Sequence, residues 1–244
     1  MEYLIAFYED DAAFAARARN DEAFWQPWQA YFRDLGEAGV MRAGAPLHDA
    51  ERAVTVRTAT DKRVVHDGPY ADTKEQLGGF CVIDVPSLDA ALHWAERCPA
   101  SREGAVEIRP ILALTETEVP RAERRGTFML ALYESASDFE QRSGEGAERY
   151  FRQWQAYGEA VQAAGVLAAG SALREPATAT VVRVGEHGMV VHDGPYADTK
   201  EQLGGYLLLD VPSIDDAIAW ASRSPAASGG AVEVRPVLII EAAA

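Results

Sequence analysis

The stretch VVHDGPYADTKEQLGG stands at Val64–Gly79 and again at Val190–Gly205, identical over all 16 positions. Its recurrence divides the 244 residues into two units of ordinary domain size. Working outward, most of the two halves align at an offset of 126, pairing His66 with His192 and Trp94 with Trp220. The first strands, YLIAFYE from Tyr3 and FMLALYE from Phe128, align at 125, so one residue was gained or lost before the first helix. Elsewhere the copies have drifted: only ten of 24 positions match between Phe24–Leu47 and Tyr150–Leu173. A recent duplication would have left the helices identical too, so the repeated stretch is restrained locally.

Each unit reads in the same order. A hydrophobic strand precedes a long helix with an aromatic face, Trp25, Trp28, Phe32 and Leu35 in one copy and Tyr150, Trp154, Tyr157 and Val161 in the other. Gly39 and Gly165 suit left-handed caps. A hairpin is expected over Val54–Thr58 and Arg63–His66, turning through Thr60-Asp61-Lys62. The repeated loop, a strand (Phe80–Val85, Tyr206–Val211) and a helix capped by Ser87 or Ser213 come next. The last strands are expected over Val106–Leu114 and Val232–Ile240. This sets domains at 1–114 and 127–244, with the charged stretch 115–126 as a linker centred on Pro120. The order βαβ(β)βαβ predicts an α+β fold of two tandem ferredoxin-like domains, each with its helices on one sheet face. The uncovered faces are expected to pack on each other as an intramolecular pseudo-dimer.

Composition narrows the partners. A net charge of −15 opposes binding to nucleic acid or to an anionic membrane. The N-terminus lacks the basic region of a signal peptide, and a cytoplasmic location is expected. Cys81 and Cys98 align with Leu207 and Ser224, so neither is shared, and Cys81 reads as a small core hydrophobe. No His, Cys and carboxylate spacing of ligand type predicts a metal, and no motif predicts another cofactor. A small-molecule ligand is the partner left open.

Asp67-Gly68-Pro69 and Asp193-Gly194-Pro195 are turn-forming tripeptides. Asp67 and Asp193 either hold the turn through Asx bonds or act as general acids or bases at a cleft mouth. His66 and His192 are the only histidines present in both copies. Neighbouring strand residues point to opposite faces, so His66 and Asp67 do not form a dyad within one strand. Asp72 or Thr73 could cap a short helical turn with Glu75 near its third position. Lys74 and Lys200 read as solvated cations or anion ligands. The Gly78-Gly79 and Gly204-Gly205 pairs predict a bulge or a close backbone approach. In AVEIRP, Glu107 and Arg109 share a face opposite Val106 and Ile108, as Glu233 and Arg235 do in the second copy. Arg109 and Arg235 would line the inter-sheet space, either binding a substrate anion or pairing structurally.

HDGPYADTKEQLGGF, followed by DVPSLDAALHWAERCPA and AVEIRPI, resembles the YCII-related family, specifically its DGPF-type branch. The resemblance covers nearly all of both halves. It implies a dimeric α+β barrel with an active-site cleft between sheets. One relative dehydrochlorinates a chlorinated hydroxyhydroquinone, and many DGPF-type members are encoded beside extracytoplasmic-function sigma factors. Two departures matter: the motif's phenylalanine is Tyr70 and Tyr196, and Trp28-Gln-Ala-Tyr31 lacks the first-helix histidine of many shorter relatives.

Three readings stand. The first is a small-molecule lyase or isomerase using Asp67/Asp193 and His66/His192 for proton transfer, with Tyr70/Tyr196, Lys74/Lys200 and Arg109/Arg235 binding substrate. The second is a ligand-sensing or protein-interaction module linked to sigma-factor regulation. In the third, the repeated loop pins the two copies together.

Overall fold

The computed structural model describes residues 1–59, 62–116 and 127–239. The first copy runs β1 (Glu2–Glu9), α1 (Asp11–Ala18), α2 (Glu22–Glu37), β2 (Met41–Pro46), β3 (Val54–Ala59), β4 (Lys62–Asp67), β5 (Gln76–Asp84), α3 (Leu88–Arg97), α4 (Ala100–Glu103) and β6 (Ala105–Glu116). The second repeats it as β7 (Thr127–Ser135), α5 (Ala136–Gln141), α6 (Ala147–Ala163), β8 (Leu167–Leu173), β9 (Thr180–Gly185), β10 (Gly188–Asp193), β11 (Glu201–Asp210), α7 (Ile214–Arg223), α8 (Pro225–Gly229) and β12 (Ala231–Pro236).

Local chemistry explains the element ends. Ser87 and Ser213 accept from the backbone N–H of Ala90 and Asp216, as N-caps should. Gly39 and Gly165 leave α2 and α6 at φ 68°, a conformation open to glycine at little cost. The short helices α1 and α5 add to the elements expected from periodicity. Asp10 caps the first and a Ser135–Asp138 capping box the second. Strand β6 runs two residues into the expected linker, because Thr115 and Glu116 pair with Gly170 and Ala169 of β8. Pro120 and the hairpin turn at Thr60-Asp61 lie outside the described residues.

Among the described residues the strands form one 12-stranded sheet built from two halves. Strands β2, β5, β1 and β6 belong to the first copy and β8, β11, β7 and β12 to the second. Each hairpin crosses over: β3–β4 extends the second copy's half through β12, and β9–β10 extends the first copy's half through β6. The halves join where the far end of β6 pairs with β8, and where Leu47 bridges Val237. The result is a dimeric α+β barrel made by one chain.

Three cores follow from strand alternation. Leu4, Ala6, Phe80 and Val82 of the first copy meet Met129, Ala131, Tyr206 and Leu208 of the second between the sheets. Outside, α2 and α3 cover Ile5, Phe7 and Ile83, with Val182 contributed by the crossed hairpin. Val54 and Val56 likewise enter the core under α6 and α7. Exchange of the hairpins therefore buries apolar side chains of each copy in the other.

Candidate functional site

The repeated stretch begins as strand β4 or β10 and leaves it through Gly68 and Gly194, at φ 104° and 100°. An irregular loop comes next, in place of the helical turn expected at Asp72–Glu75. Gln76 closes it by donating to the Ala71 and Thr73 carbonyls at 2.9 and 2.8 Å, and Gln202 repeats this at Ala197 and Thr199.

The loop's side chains cross to the opposite copy. Tyr70 donates to the Glu201 carboxylate at 2.7 Å, while its backbone N–H donates to Glu233 at 2.8 Å. Tyr196 donates to Glu75, and its N–H to Glu107 at 2.7 Å. Each ring is stacked on a tyrosine of the sheet, Tyr70 on Tyr133 and Tyr196 on Tyr8, at centroid distances of 4.0 and 3.9 Å. Arg57 and Arg183 complete the clasp on Glu201 and Glu75 at 2.9 and 3.0 Å. Burial pulls these two carboxyls up, but the bonds from arginine and tyrosine outweigh it and hold both below the ordinary glutamate range. The same surroundings push the Tyr196 hydroxyl up to about 12. Tyrosine in place of phenylalanine thus gains a charge-assisted bond between copies.

Arg109 and Arg235 face the inter-sheet layer, as expected, and both are wholly buried. Arg235 binds Glu233 at 2.7 Å and donates to the His48 and Leu77 carbonyls of the first copy at 2.9 and 2.8 Å. Arg109 binds Glu107 at 3.2 Å and the Arg174 carbonyl at 2.5 Å. The space left among Tyr8, Tyr70, Tyr133, Tyr196, Glu107 and Glu233 is about 30 Å³, room for about one water.

The other sequence-predicted residues lie outside that space. His66, Asp67, His192 and Asp193 are exposed on β4 and β10. Among the described residues no side-chain hydrogen bond of Asp67 or Asp193 is seen, so the turn is not held by Asx bonds; Gly68 N–H donates to the Ala53 carbonyl instead. Lys74 and Lys200 are exposed, 3.6 and 3.7 Å from Glu75 and Glu201. Cys81 is buried, and burial pushes its thiol up to about 12.

Sequence reading missed a second pair of buried ions. Arg17 binds Glu9, and Arg142 binds Glu134, all four side chains being almost fully buried. The signal was available: glutamate and arginine stand eight apart in both copies, at the end of the first strand. These pairs explain the glycines. A Cβ on Gly78 or Gly204 would overlap the Glu9 or Glu134 carboxylate, and the strand register shifts there. In the second copy Tyr150 joins the cluster, donating to Glu134 at 2.5 Å and accepting from Arg142 Nε at 3.0 Å. Burial raises the Glu134 carboxyl against the pull of Arg142 and Tyr150, and raises the Tyr150 hydroxyl.

That cluster forms one wall of the molecule's main asymmetry. Between α6 and its sheet lies a cavity of about 510 Å³, lined by Leu132, Tyr150, Trp154, Gly158, Tyr206 and Leu207 among others. The equivalent space in the first copy is about 20 Å³. There Phe7 meets Trp28 at 4.9 Å and Phe32 at 6.2 Å. By alignment Leu132 replaces Phe7 and Gly158 replaces Phe32. A Cβ on Gly158 would meet nothing within 4 Å. Leu112 and Phe151, 42% and 47% exposed, stand at the rim.

Among the described residues no helix is long and apolar enough to cross a membrane. Uncharacterized protein R00369 of Rhizobium meliloti (strain 1021) is 35% identical over 123 residues, 49% of this chain and 99% of that protein. Two solved structures are similar at TM-score 0.42. One is described as a novel heme-binding protein from Thermus thermophilus (15% identity, 98% of this chain and 91% of that one). The other is described as Putative Chlorite dismutase TA0507 (7% identity, 98% and 94%). The model of the YCII-related domain matches residues 1–115 and 128–241. The chain belongs to the YCII-related domain family, as two fused copies of that domain.

Proposed function

We propose that the chain is a small-molecule enzyme of lyase or isomerase type with one site, the helix–sheet cavity of the second copy. The observation that carries this reading is the cavity itself: about 510 Å³ where the first copy is filled by aromatic rings, a volume in the range of ligand pockets. At its wall Glu134 is a carboxylate whose proton affinity is raised by burial and which is bonded to a tyrosine. That is a group suited to taking and returning a proton. In this reading the repeated loop, with Tyr70, Tyr196, Arg109 and Arg235, is the clasp that holds the barrel. His66, Asp67 and their counterparts have no part in proton transfer.

A second reading, ligand sensing without turnover, is favoured by the saturation of the cluster. Arg142 spends its donors on Glu134, Tyr150, and the Leu173 and Gly204 carbonyls. The test is a thermal-shift screen of small apolar and aromatic compounds on the full chain, repeated on Gly158→Phe and Leu132→Phe. Hits that raise the melting temperature of the wild type but of neither variant support the site. Hits indifferent to both variants, or none at all, overturn it. With a hit in hand, Glu134→Gln separates the readings: retained binding with lost turnover marks an enzyme. Glu9→Gln, the equivalent change in the filled copy, controls for stability.

A further inference from the structure

The clasp uses the repeated stretch from Tyr70 onward and leaves Val64–Asp67 without a role. These residues belong to β4 (Lys62–Asp67), which stands at one end of the sheet and is exposed at all six positions. Val64 and Val65 point to opposite faces and are 37% and 40% exposed. An exposed edge strand with apolar residues on both faces is a template for another strand, and proteins ordinarily shield such edges.

The hairpin register identifies which backbone groups of β4 face outward. Gly68 N–H donates to the Ala53 carbonyl, and the pairing continues with Thr55 opposite His66 and Arg57 opposite Val64. Hydrogen-bonded pairs alternate along an antiparallel ladder, so Lys62, Val64 and His66 spend their N–H and C=O groups on β3. Arg63, Val65 and Asp67 carry the outward groups. Antiparallel pairing of two such edges, centred on Val65, sets Arg63 of each molecule opposite Asp67 of the other. Two opposite-charge cross-strand pairs then flank a valine pair.

Strand β10, the second copy's counterpart of β4 and likewise paired on one side only, has the same Val190-Val191-His192-Asp193 but carries Met189 where β4 carries Arg63. Pairing β10 with itself would set both aspartates against methionine, and β4 on β10 would give a single ion pair. Drift between the copies has left β4 as the self-complementary edge.

We infer that the chain forms a two-fold symmetric homodimer by antiparallel addition of β4 to β4 of a second molecule. An isologous contact of this kind closes on itself and stops at two molecules. The inference is independent of the proposed ligand site.

Light scattering on the full chain across a wide concentration range tests it. The expected results are twice the monomer mass for the wild type and dissociation about tenfold easier for Asp67→Lys, which sets like charges opposite each other. The double variant Arg63→Asp/Asp67→Lys restores the dimer by exchanging the partners, and Asp193→Lys behaves as wild type. All these positions are exposed, and circular dichroism verifies that each variant is folded. A monomer at every concentration, a dimer indifferent to Asp67→Lys, or a double variant that fails to recover overturns the inference. Growth beyond a dimer that Asp193→Lys stops would assign the edge to β10 and overturn it as well.

Discussion

The Tyr70 hydroxyl of the first copy donates to the Glu201 carboxylate of the second at 2.7 Å, and Tyr196 returns the contact to Glu75. The most strictly repeated segment of the chain is thereby spent largely on the contact between its halves. Stability of the barrel should respond to these residues more than any surface role would allow.

Replacing Tyr70 and Tyr196 by phenylalanine keeps both ring stacks and removes both hydroxyls. Each loss should cost about 1.5 kcal/mol, the low end for a hydrogen bond to a charged group, because both tyrosines are only half-buried. Urea unfolding of the single and double variants measures this. A double variant as stable as the wild type would show that the hydroxyls contribute nothing.

The clasp should also be acid-labile. Glu75 and Glu201 have folded-state affinities for protons below the ordinary value, so their contribution is present above about pH 4.3 and is lost as pH falls through the folded-state value. Glu9 and Glu134, raised by burial, act in the opposite sense: their contribution is present below that pH and fades as pH rises. The stability gap between wild type and Glu75→Gln/Glu201→Gln should therefore be widest near neutrality and close below about pH 4. Denaturant midpoints compared between pH 3 and 7, settings spanning the about 4.3 of free glutamate, check the sign.

Arg235→Met leaves Glu233 buried without its cation and frees the His48 and Leu77 carbonyls. A cost of about 4 kcal/mol is expected from breaking one side of a buried pair. Adding Glu233→Gln should recover part of it. A double-mutant cycle in which the two costs simply add would deny the coupling.

Gly78→Ala and Gly204→Ala each press a methyl group into a buried carboxylate. We expect about 3 kcal/mol of destabilisation for each, from overpacking combined with disturbance of the ion pair. Glycine is retained here for space: neither residue has a positive φ. Thermal melts of the two variants measure this, with Gly36→Ala, where a Cβ meets nothing within 4 Å, as the control for replacing a glycine without steric conflict.

Much of this protein was determined by its sequence alone. The repeat set the two units, apolar periodicity set their strands and helices, and Ser87, Ser213, Gly39 and Gly165 set helix ends through bonds made within a few residues. The inward placement of Arg109 and Arg235 also followed, because alternation along a strand is a local rule. What only the tertiary structure decided were the relations between distant residues. That the hairpins cross between copies, that Tyr70 meets Glu201, and that Arg235 is consumed by His48 and Leu77 depend on contacts 72 to 187 positions apart. No local period encodes such contacts. The cavity was likewise invisible: Phe32 and Gly158 are unremarkable residues in their helices, and their difference becomes a volume only when the helix is laid on the sheet.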